Sequence, residues 1–148
     1  MATSDTTPAF GMSKITPASE VAIQWFREVW SNRNSEAIVR LMAPDAKGRL
    51  EGGIEVNGRE QFQDFHRNLL HSIPDLSVRL LRLMSDEKEA CLHWEASGTH
   101  SGYGFGLKPT GRQIHMEGMT WLCVEDGIIV KGWDCWNLDR FFKELAGQ

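Results

Sequence analysis

Residues 111–137, GRQIHMEGMTWLCVEDGIIVKGWDCWN, decide the fold. Two runs rich in β-branched and aromatic residues flank Asp126-Gly127, and in each the side chains alternate with a period of two. Asp-Gly between such runs specifies a two-residue type I′ turn, because both central positions need positive φ. The stretch therefore reads as a β-hairpin. Upstream, LSVRLLRLMS (76–85) and EACLHWEASG (89–98) keep the same period and are joined by a charged turn around Asp86 to Lys88. A loop with four glycines, GTHSGYGFG (98–106), leads from them into the hairpin.

Toward the N-terminus the period changes. In ASEVAIQWFREVWS (18–31), Val21, Ala22, Trp25, Phe26 and Val29 recur at helical spacing. Ser35 opens a short second helix, SEAIVRLM, which Pro44 ends. Residues 46–56 are glycine-rich and read as extended. After Gly58, the residues Phe62, Phe65, His66, Leu69, Leu70 and Ile73 form the apolar face of a third helix, stopped by Pro74. LDRFFKEL closes the chain as a short helix. Helices first, then consecutive antiparallel strands, is an α+β order rather than an alternating βαβ one. The expectation is one α+β domain over 17–148, a curved antiparallel sheet packed on three N-terminal helices around a cone-shaped apolar pocket. Residues 1–16 read as a flexible polar tail.

Composition narrows the function. A chain of 148 residues supports one domain. The net charge of −4 and the scattered basic residues give no footprint for nucleic acid. No apolar run approaches the 18 or so residues that span a bilayer, and the N-terminus lacks a secretory pattern, so a cytoplasmic protein is expected. Cys91, Cys123 and Cys135 show no CxxC spacing and read as buried, reduced thiols rather than a disulfide or zinc framework. Four of the six tryptophans (Trp94, Trp121, Trp133, Trp136) fall in strands, which fits an aromatic-lined interior as well as ordinary core packing.

A regular hairpin around Asp126-Gly127 pairs Glu125 with Ile128 and so sets Asp134 opposite Met119. Glu117 and Trp121 are then its diagonal neighbours, and Trp136 is two residues along. A carboxyl among tryptophans and a methionine loses hydration, its pKa rises, and it becomes fit for general acid/base work near neutral pH. The alternative is a solvated strand face, since Ile114, Met116, Leu122 and Val124, with Ile129 and Trp133, make the other face the more apolar one. His100, where a strand enters the glycine-rich loop, reads as a pocket-rim residue or an exposed loop histidine. His93, Glu95, His115 and Glu117 alternate like a polar cluster without metal-ligand spacing, while His66 and His71 on the third helix could reach a pocket but read first as helix-surface residues. No nucleophile elbow or phosphate loop is present, and GYGFG is followed by no helix.

WEASGTHSGYGFGLKPTGRQIHMEG, then VEDGIIVKGWDCW and a closing FFKEL helix, resembles the SnoaL-like polyketide cyclases of the nuclear transport factor 2-like superfold. The resemblance covers roughly residues 18–146, and its most specific elements are GTHSG, PTGR and the hairpin with an aspartate seven residues after its glycine. It implies ring closure by intramolecular aldol chemistry without metal or organic cofactor, with Asp134 as the acid/base group and His100 at the family's loop histidine. One position departs: the family's histidine six residues before Asp126 is Thr120 here, which hydrogen-bonds but does not titrate near neutrality. By the regular register Thr120 and Asp134 face opposite ways, unless a bulge re-aims one of them.

The expected function is a cofactor-independent lyase or isomerase acting on a hydrophobic, carbonyl-bearing small molecule. Asp134 and His100 are the catalytic candidates, with Glu117 and Thr120 as polar pocket members. The apolar lining is expected from Trp25, Phe65 and Leu69 on the helices and from Met119, Trp121, Trp133 and Trp136 on the strands. A non-catalytic binding module and an assembly protein are the rival readings. A homodimer suits all three, since an aromatic-rich sheet face left bare is a liability.

Overall fold

The computed structural model describes residues 15–50 and 55–146. The chain enters through helix α1 (Pro17–Gln24), whose start is fixed by a capping box. The Thr16 N–H donates to Ser19 Oγ at 2.6 Å, and the Ser19 N–H donates to Thr16 Oγ1 at 3.1 Å. Thr16 is buried, and of the segment read as a tail, 1–14 lie outside the described residues. Without a break α1 continues as a π-helical segment (Trp25–Ser31). Then come α2 (Ser35–Leu41), β1 (Met42–Arg49), β2 (Glu55–Asn57), α3 (Arg59–Ser72), β3 (Ser77–Ser85), β4 (Glu89–Thr99), β5 (Gln113–Glu125), β6 (Ile128–Trp136) and α4 (Leu138–Leu145). Asn34, not Ser35, caps α2, its Oδ1 accepting from the Glu36 N–H at 3.0 Å.

One six-stranded sheet runs in the order β2-β1-β6-β5-β4-β3. The expected consecutive antiparallel ladder holds for β3 to β6. The glycine-rich stretch read simply as extended does more: β1 lies parallel to β6, and β2 returns antiparallel on the far side of β1. Strands and helices are thus interleaved before α3, because β1 leaves α2 with no turn in between. Part of that stretch, 51–54, lies outside the described residues. Among the described residues no helix is long and apolar enough to cross a membrane.

The hairpin turn is as expected, with φ of 49° at Asp126 and 76° at Gly127, and Glu125 opposite Ile128. The register then slips. Val124 faces Ile129 but Cys123 faces Lys131, so Val130 is an extra residue, a β-bulge. Beyond it Asp134 lies opposite Thr120, not Met119, and both side chains point to the same side of the sheet. That overturns the regular pairing, for a physical reason: one unpaired residue exchanges the faces of every later position in the strand. The inner face therefore joins Ile114, Met116, Thr120, Leu122 and Val124 of β5 to Ile129, Asp134 and Trp136 of β6. Leu92, Trp94 and Ala96 of β4 extend it. The helices cover this face with Val21, Trp25, Phe26, Val29, Ile38, Phe62 and Leu69.

Gly118 is the hinge point of the inner face. It sits between Trp94 on β4 and Trp136 on β6, whose rings meet edge to face with centroids 6.3 Å apart. A Cβ there would lie 2.6 Å from the Trp136 Cβ and 2.8 Å from the Trp94 ring. Gly118→Ala is expected to cost about 1–3 kcal/mol of stability by overpacking, read from urea denaturation. Adding Trp136→Leu to it is expected to cost less than the two changes summed, and strict additivity would show that the ring pair does not need the glycine.

Candidate active site

The centre of the concave face is a chain of three polar groups on three adjacent strands. The Trp94 Nε1–H on β4 donates to Thr120 Oγ1 on β5 at 2.9 Å, and the Thr120 hydroxyl donates to Asp134 Oδ1 on β6 at 2.6 Å. An indole N–H only donates, so Thr120 must accept it, and its own proton is directed to the carboxyl. Burial in this apolar setting pushes Asp134 up to about 6, against the opposing pull of the Thr120 hydrogen bond. A carboxyl poised there switches between base and acid close to neutral pH.

Two apolar cavities, of about 60 and 50 Å³, open on either side of Asp134. The first is bounded by Trp25, Phe62, Leu122 and Ile129, with Lys47 and Lys131, cross-strand partners on β1 and β6, at its edge. The second is bounded by Phe26, Phe65, Leu69, Trp94, Met116 and Trp136. Among the described residues no group of three His, Cys, Asp or Glu side chains gathers to hold a metal.

The structure brings together Asp134, Thr120, Trp25, Phe65, Leu69 and Trp136 of the residues expected at the site. It places Glu117, Met119 and Trp121 on the outer face, with Met119 and Trp121 48% and 46% exposed. Regular alternation along β5 turns these three outward, and the bulge on β6 parts Asp134 from them by carrying it to the inner face. Trp133 borders the first cavity, while its ring lies outside under Lys131 Nζ at 4.7 Å. The polar cluster also forms outside: His93 Nε2 is 2.7 Å from Glu117, and Glu95 pairs with Arg79 and lies 3.7 Å from His115. The cysteines occupy this same face. Cys91 and Cys123 are half-buried and Cys135 is exposed, so the reading of three buried thiols is corrected by strand alternation.

His100 stands apart from both cavities beside Asp134, fully buried, with Nδ1 3.0 Å from Thr110 Oγ1. Burial lowers its pKa, and the nearby Leu145 carbonyl of α4 opposes that only in part. The loop that carries it lies on the end of α3: Gly102 N–H donates to the Ser72 carbonyl, and Phe105 N–H to Asn68 Oδ1. Side chains at Gly102 or Gly104 would collide with the His71 carbonyl and the Ser72 hydroxyl. The loop motif thus builds a seat for the backbone and turns His100 inward beneath it. His66 is corrected as well: it is buried, and its Nε2–H donates to the Val29 carbonyl at 2.8 Å in the last turn of the π-helical segment. Sequence reasoning missed Trp30, Phe62, Trp94 and Met116 as site members. Trp94 was within reach, since it shares the inner phase of β4 with Leu92 and Ala96.

The profile of the SnoaL-like polyketide cyclase family matches residues 20–145. Among solved structures, a protein from Jannaschia sp. CCS1 named for the SnoaL-like polyketide cyclases superposes with a TM-score of 0.81 at 17% identity. It covers 93% of this chain and 99% of that one. A protein from Acidithiobacillus ferrooxidans named as a polyketide cyclase gives a TM-score of 0.72 at 26% identity, covering 92% and 99%. AclR from Streptomyces galilaeus, named as a hydroxylase, gives 0.74 at 22% identity, covering 88% and 82%. Among curated proteins none matches this sequence.

The raised pKa of Asp134 makes a signed prediction about stability. Between the usual carboxylate value of 3.8 and about 6 the folded state binds the proton better than the unfolded chain. The stabilisation is complete below the lower value and is lost as pH rises through the upper one. Asp134→Asn does not titrate, so its stability relative to wild type is expected to grow from pH 4 to pH 6.5 by on the order of 2 kcal/mol and then level off. Urea denaturation across that range measures it. A difference that shrinks with rising pH would mean a carboxylate stabilised in its charged form.

Proposed function

The chain belongs to the SnoaL-like polyketide cyclase family, and from that premise we propose a cofactor-independent acid/base enzyme acting on a hydrophobic small molecule that carries a carbonyl. The observation that carries the reading is Asp134: one oxygen is tied to Thr120, the residue lines two apolar cavities, and its pKa is raised to about 6. In its ionised form Oδ2 takes a proton from the carbon next to the substrate carbonyl, leaving an enolate. The enolate carbon then adds to a second carbonyl of the same molecule for ring closure, or is reprotonated elsewhere for isomerisation. The proton held on Asp134 passes to the new alkoxide or carbon, which restores the carboxylate. Thr120 fixes the carboxyl rotamer through this cycle, and the apolar walls keep the ionised form basic by withholding water. Lys47 and Lys131 at the edge of the first cavity favour a substrate whose oxygen gains negative charge. His100, sealed against Thr110, takes no part in the proton path.

A second copy of the chain belongs to the same proposal. On the outer face Met84, Cys91, Trp121 and Trp133 form one cross-strand row, and Arg82, His93, Met119 and Cys135 form the next. Glu95, Glu117 and Arg79 flank these rows on one side and Glu89 and Lys131 on the other, so the apolar centre is rimmed by charges of both signs that a second copy covers.

The catalytic reading is tested with 2-tetralone in deuterium oxide, following loss of its α-protons by NMR. Wild type is expected to exchange them with a rate that rises through about pH 6 and then levels, and Asp134→Asn to be slower by roughly 10²–10³-fold. Binding of the ketone with equal exchange in both proteins would leave a binding module. The assembly is tested by sedimentation: wild type is expected to run as a dimer and Trp121→Glu as a monomer, while a Trp121→Glu dimer would remove this face from the interface.

A further inference from the structure

Trp30 and Asp134 are the two residues that line both cavities of the site. The indole therefore stands where the two spaces would otherwise run together in front of the carboxyl. It is half-buried, and it rests edge-on against His66 and Phe62, with ring centroids 5.0 and 6.1 Å away. Neither cavity, at about 60 and 50 Å³, approaches the roughly 300 Å³ or more that a drug-sized ligand occupies. A multi-ring ligand fits only if the two are joined.

The backbone explains how Trp30 comes to be there. In an α-helix, at about 100° per residue, it would project roughly 140° around from Trp25, off the apolar stripe that holds Val29. The segment Trp25–Ser31 is a π-helix instead, its wider i→i+5 closure visible in the 2.8 Å bond from the Asn32 N–H to the Arg27 carbonyl. At about 80° per residue, Trp30 swings to roughly 40° from Trp25, between Trp25 and Phe26 and over the concave face. His66 holds this geometry by donating to the Val29 carbonyl in the final turn.

We propose that Trp30 sets the length of ligand the site admits: its indole is a movable partition between the two cavities, and a fused-ring carbonyl compound binds by displacing it. The inference rests on the cavities being the ligand site, and its test separates the two ideas. Phenol, 2-naphthol and 1,8-dihydroxyanthraquinone are titrated into wild type, Trp30→Phe and Trp30→Ala, and the Asp134 carboxyl carbon is followed by NMR alongside affinity. The three-ring compound is expected to bind Trp30→Ala at least about tenfold more tightly than wild type, with Trp30→Phe between them and phenol changed by less than about threefold. Ligands that move the Asp134 signal while the ring-size preference stays the same in all three proteins would overturn the partition and leave the site. Ligands that leave the Asp134 signal unmoved in every protein would overturn both. Should Trp30→Ala not fold, Trp30→Phe decides, because it keeps an aromatic edge for His66 and Phe62 while shortening the partition.

Discussion

The hydrogen bond from the Thr120 hydroxyl to Asp134, 2.6 Å long, is the interaction around which the concave face is arranged. A carboxyl set among indoles, phenylalanines and aliphatic chains has lost most of its water, and an isolated charge there would be costly. One short bond to a neutral donor is enough to fix the group without supplying the counter-charge that would bring its pKa back down. The Trp94 indole completes the device by occupying the acceptor side of Thr120, so the hydroxyl proton has one direction to go. Gly118 makes room for that indole beside Trp136, and the bulge at Val130 brings Asp134 round to meet Thr120.

The two faces of the sheet carry separate duties. Inside are the carboxyl, its relay and the cavity walls, roofed by α1, the π-helical segment and α3. Outside are the histidine–glutamate pairs, the three cysteines and the bare aromatic row. Charges of both signs sit on the outer side, where water screens them, while the pKa of Asp134 is raised by desolvation against the pull of the Thr120 hydrogen bond. The site is thus set by desolvation and one hydrogen bond rather than by a neighbouring charge.

At the position where the sequence departs from the resemblance stands Thr120, a partner for Asp134 that does not titrate near neutrality. A histidine beside the carboxyl would bring a second titrating group, and the two would then titrate as a pair. With threonine the proton inventory belongs to Asp134 alone. The other loop histidine of the motif, His100, is consumed by the architecture: it fills the space under a loop whose glycines press directly onto the end of α3, against α4. The strongest sequence motif therefore marks a place where backbones meet.

The α+β class, the main helix and strand segments and the Asp-Gly hairpin are all properties of the sequence itself. They follow from periodicity, turn chemistry and residue type, which act over a few neighbouring residues. The identity of Asp134's partner did not follow, because a single bulged residue leaves no mark in composition yet exchanges the two faces for the rest of the strand. The bulge turned Asp134 inward to meet Thr120, which already shares the apolar phase of β5 with Met116 and Leu122, while Glu117, Met119 and Trp121 hold the opposite phase. Trp30 was hidden in the same way, since its inward aim depends on a helix widening that α-periodicity does not express. The depth of His100 and His66 depended on what packs over them from distant segments, α4 and the π-helical turn. Local order was written in the chain; which side chains share the cavity was decided only when strands slipped by one residue and a helix opened by one.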